Sequence, residues 1–264
     1  GNMLEKTVIK HLGDELYDAL KNQTPVEPLT TRYPQIREED AYKISLQMLN
    51  RRIQSGEKVV GKKIGVTSAA VMEMLNVHQP DYGYLTNVMM HSTGVELDIS
   101  AGMIAPRAEG EVAFVLKKRL LGPGISNADV ISATDFVMPC FEIVDSRIAN
   151  WEIKIEDTIA DNASCGAVIL GNGAVDLQDI DLATCGIVVS LNGELISTGA
   201  GAAAMGSPIN CVTWLANTLG SIGIPLEAGE VILSGSLVPL QPVQSGDSIE
   251  MRIGGLGSCT ARFL

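Results

Sequence analysis

The chain is short of positive charge: 19 Lys and Arg stand against 31 Asp and Glu, for a net charge of −12 and a pI near 4.7. An acidic surface of that kind repels nucleic acid and anionic membranes, which argues against both as partners. No apolar run reaches the roughly 18 residues that span a bilayer, and no charged-then-apolar leader is present, so the expected location is the cytoplasm. Only three histidines occur, His11, His78 and His91. They lie far apart, without the spacing of a zinc site and without a serine partner for a hydrolase triad. The five cysteines lack CxxC spacing and sit mostly in apolar stretches, as buried thiols of a reducing compartment do. The glycines of "GLGS" and "GAGAAAMGS" do not follow a strand in a βαβ unit, which argues against a dinucleotide site. Repeats and low-complexity tracts are also missing. Gly1 and Asn2, ahead of Met3, read as a tag remnant.

What remains is 264 residues with 46% hydrophobic content and a mean hydropathy of +0.21, ample for a sizeable core. Leu4, Val8, Leu12, Leu16 and Leu20 form a helical stripe over residues 4–22, with Gly13 as its weak point. Residues 38–54 form a second helix, with Glu38, Glu39 and Asp40 in its first turn and Ala41, Ile44, Met48 and Ile53 on its buried face. Arg51 and Arg52 end it. "KVVGKKIGVTS" reads as a strand, followed by a short helix near 68–75. Short strands between glycine turns then take over. "IVVSLNGELIST" is a hairpin turning at Asn192-Gly193. Ser126 to Asp129 opens one helix with a capping box, and Ser207-Pro208 opens another. The class is α+β, with an N-terminal α/β region over 1–85 and a β-rich region over 86–264.

The chemistry concentrates in "PRAEGEVAFVL", residues 106–116. Arg107, Glu109 and Glu111 precede a buried-looking apolar run and share one strand face. The two carboxylates then have Cα atoms roughly 6.5–7 Å apart. Solvated faces explain the same spacing at Glu38/Asp40, Glu96/Asp98 and Asp179/Asp181. The apolar setting is what differs here, and "DFVMPCFEIVDSR" adds Glu142 in a like setting. Buried carboxylates must be protonated, paired or metal-bound. Three that converge would make a hard oxygen site suited to Mg²⁺ or Mn²⁺, and an acidic chain suits a dication. Of Lys62 and Lys63, either one points inward toward an anion or both snorkel to water. Asp81 in "HQPDYGYL", and Asn162 and Ser164 in "DNASCG", are by default turn residues.

The ordered set "GKKIGVTS", "HQPDYGYL", "PRAEGEVAF", "CFEIVDSR", "ADNASCG", "STGAGAAAMGSP" and "LSGSLVPLQPVQSGD" resembles the 2-oxopent-4-enoate hydratases of aromatic meta-cleavage pathways, in the fumarylacetoacetate hydrolase superfamily. The resemblance runs from about Met3 to Leu264. It implies a helical N-terminal region followed by a mixed β-roll or sandwich, a Mg²⁺ or Mn²⁺ cofactor held by Glu109, Glu111 and Glu142, and a homo-oligomer. It further implies catalytic roles for Lys63 and Asp81, and substrate contacts from Lys63, Ser164 and Ser236. Arg107 is expected to be a structural counter-ion. The implied reaction hydrates 2-hydroxypenta-2,4-dienoate to 4-hydroxy-2-oxopentanoate, and association with the pathway decarboxylase is possible in this group. The alternatives are the sister 2-oxo-3-hexenedioate decarboxylase, which has an apolar residue where this chain has Asp81, and a hydratase of the C7 diacid. A non-catalytic assembly subunit of the same fold is a third.

Overall fold

A computed structural model describes residues 3–264, so Gly1 and Asn2 lie outside the described residues. Helices α1 (Lys6–Asn22), α2 (Leu29–Arg32) and α3 (Glu38–Gln54) open the chain, then β1 (Val59–Gly65), α4 (Ala69–Leu75) and β2 (Asp81–Thr86). Strands β3 (Met90–Ser92), β4 (Val95–Leu97) and β5 (Arg107–Leu116) follow, then α5 (Asn127–Ala133), β6 (Thr134–Val144), α6 (Ile155–Ala160) and β7 (Cys165–Leu170). The remainder comprises β8 (Gly186–Leu191), β9 (Glu194–Ala200), α7 (Pro208–Gly220), β10 (Val231–Leu233), β11 (Gln241–Pro242), β12 (Ser248–Ile253) and β13 (Gly257–Phe263). None of the described helices is long and apolar enough to cross a membrane.

Two mixed sheets result. The larger runs β2-β1-β10-β5-β6-β7-β3, with β11 beside β5, and the smaller runs β4-β13-β12-β8-β9. Because side chains alternate along a strand, each strand of the larger sheet serves two layers. Ile64, Val112, Phe114, Phe141 and Ile143 point to one side and pack with Ile187, Ile249, Met251 and Phe263 of the smaller sheet and Val212, Leu215 and Leu219 of α7. Each such side chain, fully removed from water, contributes roughly 1.5–3 kcal/mol. The opposite side is the one that carries charge. Its apolar floor is small, made of Leu85, Met89, Ala113, Cys140, Cys165, Val168 and Leu233. A third cluster binds the helices together, through Leu12 and Leu16 of α1, Ile44 and Met48 of α3, and Ile155 and Ile159 of α6.

The expected α+β class and β-rich remainder are found. The hairpin turns on Asn192 and Gly193, both at positive φ as a type I′ turn requires. The Ser126–Asp129 capping box and the Ser207-Pro208 helix start are both present. All five cysteines are free and buried. Three expectations change. The boundary at residue 85 falls inside the large sheet, since β1 pairs with β10 far along the chain. Ile53 is 46% exposed while Arg52 turns inward to pair with Glu57 at 2.8 Å. The ion pair decides the rotation of that last helical turn, since burying Ile53 would expose a charge already matched. Gly13 is a contact point: a Cβ there would lie 2.5 Å from Gln47 Cβ, so its missing side chain lets α1 and α3 approach.

Candidate metal centre and active site

Strand pairing explains how residues far apart in sequence meet. Glu109 of β5 lies directly opposite Glu142 of β6, with Glu111 one pleat further along. Lys63 pairs with Leu233, which in turn pairs with Ala113. Gly65 pairs with Asp81. Period-two alternation therefore puts Lys63, Asp81, Glu109, Glu111 and Glu142 on one face of the large sheet. Glycines make room for them. A Cβ on Gly65 would fall 2.4 Å from Asp81 Oδ1 and 3.3 Å from Lys63 Nζ.

Glu109, Glu111 and Glu142 each present an oxygen within 4.8 Å of the others. Glu111 and Glu142 are fully buried, and Glu109 is half-buried at the mouth of the group. Glu111 accepts one hydrogen bond, from the Gly235 amide at 2.9 Å. Its second oxygen, both oxygens of Glu142 and Asp81 Oδ1 have no hydrogen-bond donor. Lys63 Nζ stands 3.0 Å from Glu142 Oε1, an ion-pair distance, but off the line of a hydrogen bond. The ammonium instead donates to Ala163 O at 2.6 Å.

Such crowding is reflected in proton affinity. Burial, reinforced by Glu142, pushes the Glu109 carboxyl up to about 7. Burial, then Glu142 and Glu109, push Glu111 well above the carboxylate range. Asp81 rises to about 6 through burial, opposed by Lys63. Burial pulls Lys63 down, but Glu142 and Asp81 more than offset it and hold the ammonium charged. Unpartnered buried oxygens within reach of one another fit a hard divalent cation, which would replace the protons and the missing donors together.

A cavity of about 660 Å³ opens over this face. Lys63, Asp81 and Glu109 line its polar end, and Val71, Met74, Trp151, Val238 and Leu240 line an apolar wall. Ser164 and Ser236 both line it as well. Their hydroxyls already have protein partners, Ser164 with Thr158 Oγ1 at 2.8 Å and Ser236 with Val238 O. Arg107 departs from its expected role. Among the described residues it pairs with no carboxylate, and its guanidinium lies over the Trp151 ring, 4.5 Å from the centroid. Stacking on an indole keeps the cation at the cavity edge without neutralising the glutamates.

Sequence reasoning missed the layer behind the cavity. Arg147 and Asp161 form a fully buried pair, with Nε 2.6 Å from Oδ1. Asp145 accepts from the Ile104 and Ala105 amides. The available signal was a charged "DSR" directly after the apolar run of β6, where burial continues.

Residues 61–264 match the family described as Fumarylacetoacetate (FAA) hydrolase C-terminal. A 2-hydroxypent-2,4-dienoate hydratase of Pseudomonas putida is 62% identical over 221 residues, covering 84% of this chain and 100% of that protein. A 2-hydroxyhexa-2,4-dienoate hydratase of Comamonas testosteroni is 53% identical over 262 residues, 99% of each chain. Among solved structures, 4-oxalocrotonate decarboxylase from Pseudomonas putida G7, complexed with magnesium and adipate, superposes with a TM-score of 0.96 at 36% identity over 100% of both chains. With its sheets, its carboxylate cluster and this likeness along its whole length, the chain belongs to the fumarylacetoacetate hydrolase family, in the branch that holds the 2-hydroxydienoate hydratases.

Proposed function

We propose that this chain is a metal-dependent hydratase that converts 2-hydroxypenta-2,4-dienoate to 4-hydroxy-2-oxopentanoate in meta-cleavage degradation of aromatic compounds. The reading rests on one observation above all: Asp81, buried and with a free oxygen, faces the same cavity as Lys63 and the three-glutamate cluster. The identity of the hydratase relatives supports it. Fold alone does not separate hydration from decarboxylation, since a decarboxylase superposes over the full length. A water-activating carboxylate does, because loss of CO₂ deprotonates no water.

Glu109, Glu111 and Glu142 would hold the cation, Mg²⁺ or Mn²⁺. When bound, it supplies Lewis acidity toward the substrate's carboxylate and 2-oxygen. The chain's own residues do the rest. The dienol first gives up its 2-hydroxyl proton and takes one at C5, a tautomerisation with no net change in protons that yields the conjugated 2-oxo-3-enoate. Water then adds at C4 while Asp81 takes its proton. Negative charge grows on the 2-oxygen, and the Lys63 ammonium, held charged by its neighbours, stabilises it until C3 takes up a proton equivalent to the one Asp81 removed, which restores the ketone and the free carboxylate. Ser164 and Ser236 would contact the substrate at the cavity wall. The wall of Val71, Met74, Val238 and Leu240 would take the hydrocarbon end of the substrate. The chain acts as a cytoplasmic homo-oligomer in this reading.

Incubation with Mg²⁺ and the dienoate, and separately with the C6 oxo-diacid, tests it. 4-Hydroxy-2-oxopentanoate from the first and no CO₂ from the second is the expected result. CO₂ release from the diacid without hydration would establish the decarboxylase, and no turnover of either with bound metal would establish a non-catalytic subunit.

A further inference from the structure

Asn162, Ala163 and Ser164 have φ of 55°, 52° and 58°. Left-handed backbone is disfavoured for residues with a Cβ and normally occurs one residue at a time. A run of three persists only where its surroundings over-determine it. Here they do. The Arg147 amide donates to Asp161 Oδ2 at 2.9 Å and its Nε to Asp161 Oδ1 at 2.6 Å. Its Nη2 donates to both Asp161 O and Cys165 O at 3.0 Å. One guanidinium thus ties together the residue before the turn and the residue after it. Asn162 meanwhile clasps the Tyr84 amide and carbonyl of β2 at 2.8 and 2.9 Å. A Cβ on Gly83 would fall 2.6 Å from Asn162 O, so the turn presses on the strand that carries Asp81.

The product of this arrangement is one carbonyl aimed into the site. Ala163 O accepts from Lys63 Nζ at 2.6 Å. An ammonium has three donors. The carbonyl takes one, Glu142 attracts another, and the third is left for the cavity. We propose that Arg147, with Asp161, is a positioning residue: it holds the left-handed turn at 162–164 so that Ala163 O fixes the direction in which Lys63 presents its free N–H to substrate. The inference rests on the reading of Lys63 given above. Arg147 is 1% exposed and does not line the cavity, so it acts only through the turn.

Arg147→Lys tests it. A lysine can pair with Asp161 but cannot also bridge the two carbonyls, since it lacks the planar fork. With Mg²⁺ and the dienoate, kcat is expected to fall by roughly tenfold or more while KM stays within about twofold. Calorimetric Mg²⁺ affinity should also hold. Adding Ala163→Gly to that variant should restore part of the lost kcat, because glycine adopts positive φ without the Cβ penalty. A merely structural arginine has no reason to be relieved by that glycine. Full kcat in R147K, or joint loss of kcat, KM, Mg²⁺ affinity and Tm with no recovery from glycine, overturns the proposal. Should R147K not fold, Asp161→Asn keeps the shape and weakens the clamp, and the same readouts decide. Lys63→Met in the same assay separates the two levels. Turnover retained in K63M would refute the reading of Lys63, whereas loss in K63M beside full turnover in R147K would refute only the positioning role.

Discussion

In the proposed mechanism, Asp81 is the residue on which hydration turns. Asp81→Asn keeps the size of the side chain and removes the base, so hydration should fall by on the order of 10²–10⁴. Proton exchange at C5 should continue, followed by NMR as deuterium incorporation beside product formation. Undiminished hydration would make Asp81 a turn residue after all. A second expectation concerns the far end of the cavity. Residues 234–240 carry no Lys or Arg, and a second substrate carboxylate left unpaired there costs several kcal/mol. The C5 monoacid should exceed the C7 diacid by at least roughly tenfold in kcat/KM, about 1.4 kcal/mol. Comparable values would mean that Arg107 leaves Trp151 to meet the second carboxylate, and Arg107→Met would then remove the diacid activity. At this scale the sequence was informative where a charge interrupts an apolar strand, as at Glu109, Glu111 and Glu142. It gave Arg107 the wrong partner, because a strand face says which way a side chain points but not that an indole from residue 151 will lie beneath it.

Elements were legible where a local signal fixes them. Ser126 and Ser207 announce helix starts, and Asn192-Gly193 announces a hairpin, because each motif satisfies its own backbone. The turn at 162–164 has no such signature. Its conformation is imposed by Arg147 and Tyr84, distant in sequence, and no propensity for Asn, Ala and Ser would predict three left-handed residues in a row. Gly13 shows the same limit in a helix. Propensity alone makes Gly13→Ala stabilising by up to about 1 kcal/mol. Contact with Gln47 Cβ and Cγ and Ile44 O argues the opposite. The alanine should destabilise by roughly 1–3 kcal/mol, as overpacking does, measured by urea unfolding with unchanged m-value. A gain in stability would show that α1 and α3 can part at no cost.

At the scale of the whole molecule, a glutamate cluster that holds a dication, as proposed, would couple stability to pH and metal. Without metal, Glu109 is raised to about 7 from the ordinary 4.5, and Glu111 is raised further. A raised folded-state pKa means that the folded protein holds protons the unfolded chain gives up, so this contribution is full below about 4.5 and is lost as pH climbs through 7. The metal-free protein should therefore have a lower Tm at pH 8 than at pH 6. A dication competes with those protons, so the Tm increase from added Mg²⁺ should be larger at pH 8. A metal-free Tm that rises over this interval, or an Mg²⁺ shift that shrinks, would remove the cluster from this role. The position of β1, between β2 and β10, has a consequence for how the chain reaches its fold at all. Lys62 meets Glu230, 168 residues away in sequence, and its neighbour Lys63 lies in a strand bounded by β10 on one side. During synthesis the helices and the β1–β2 pair can assemble early, but the ledge between β1 and β5 stays open until residues 231–233 arrive to fill it. Closing so long a loop is entropically slow. Lys63, the first of the site side chains in the sequence, therefore has its strand completed on the β10 side only when one of the later segments of the chain is in place.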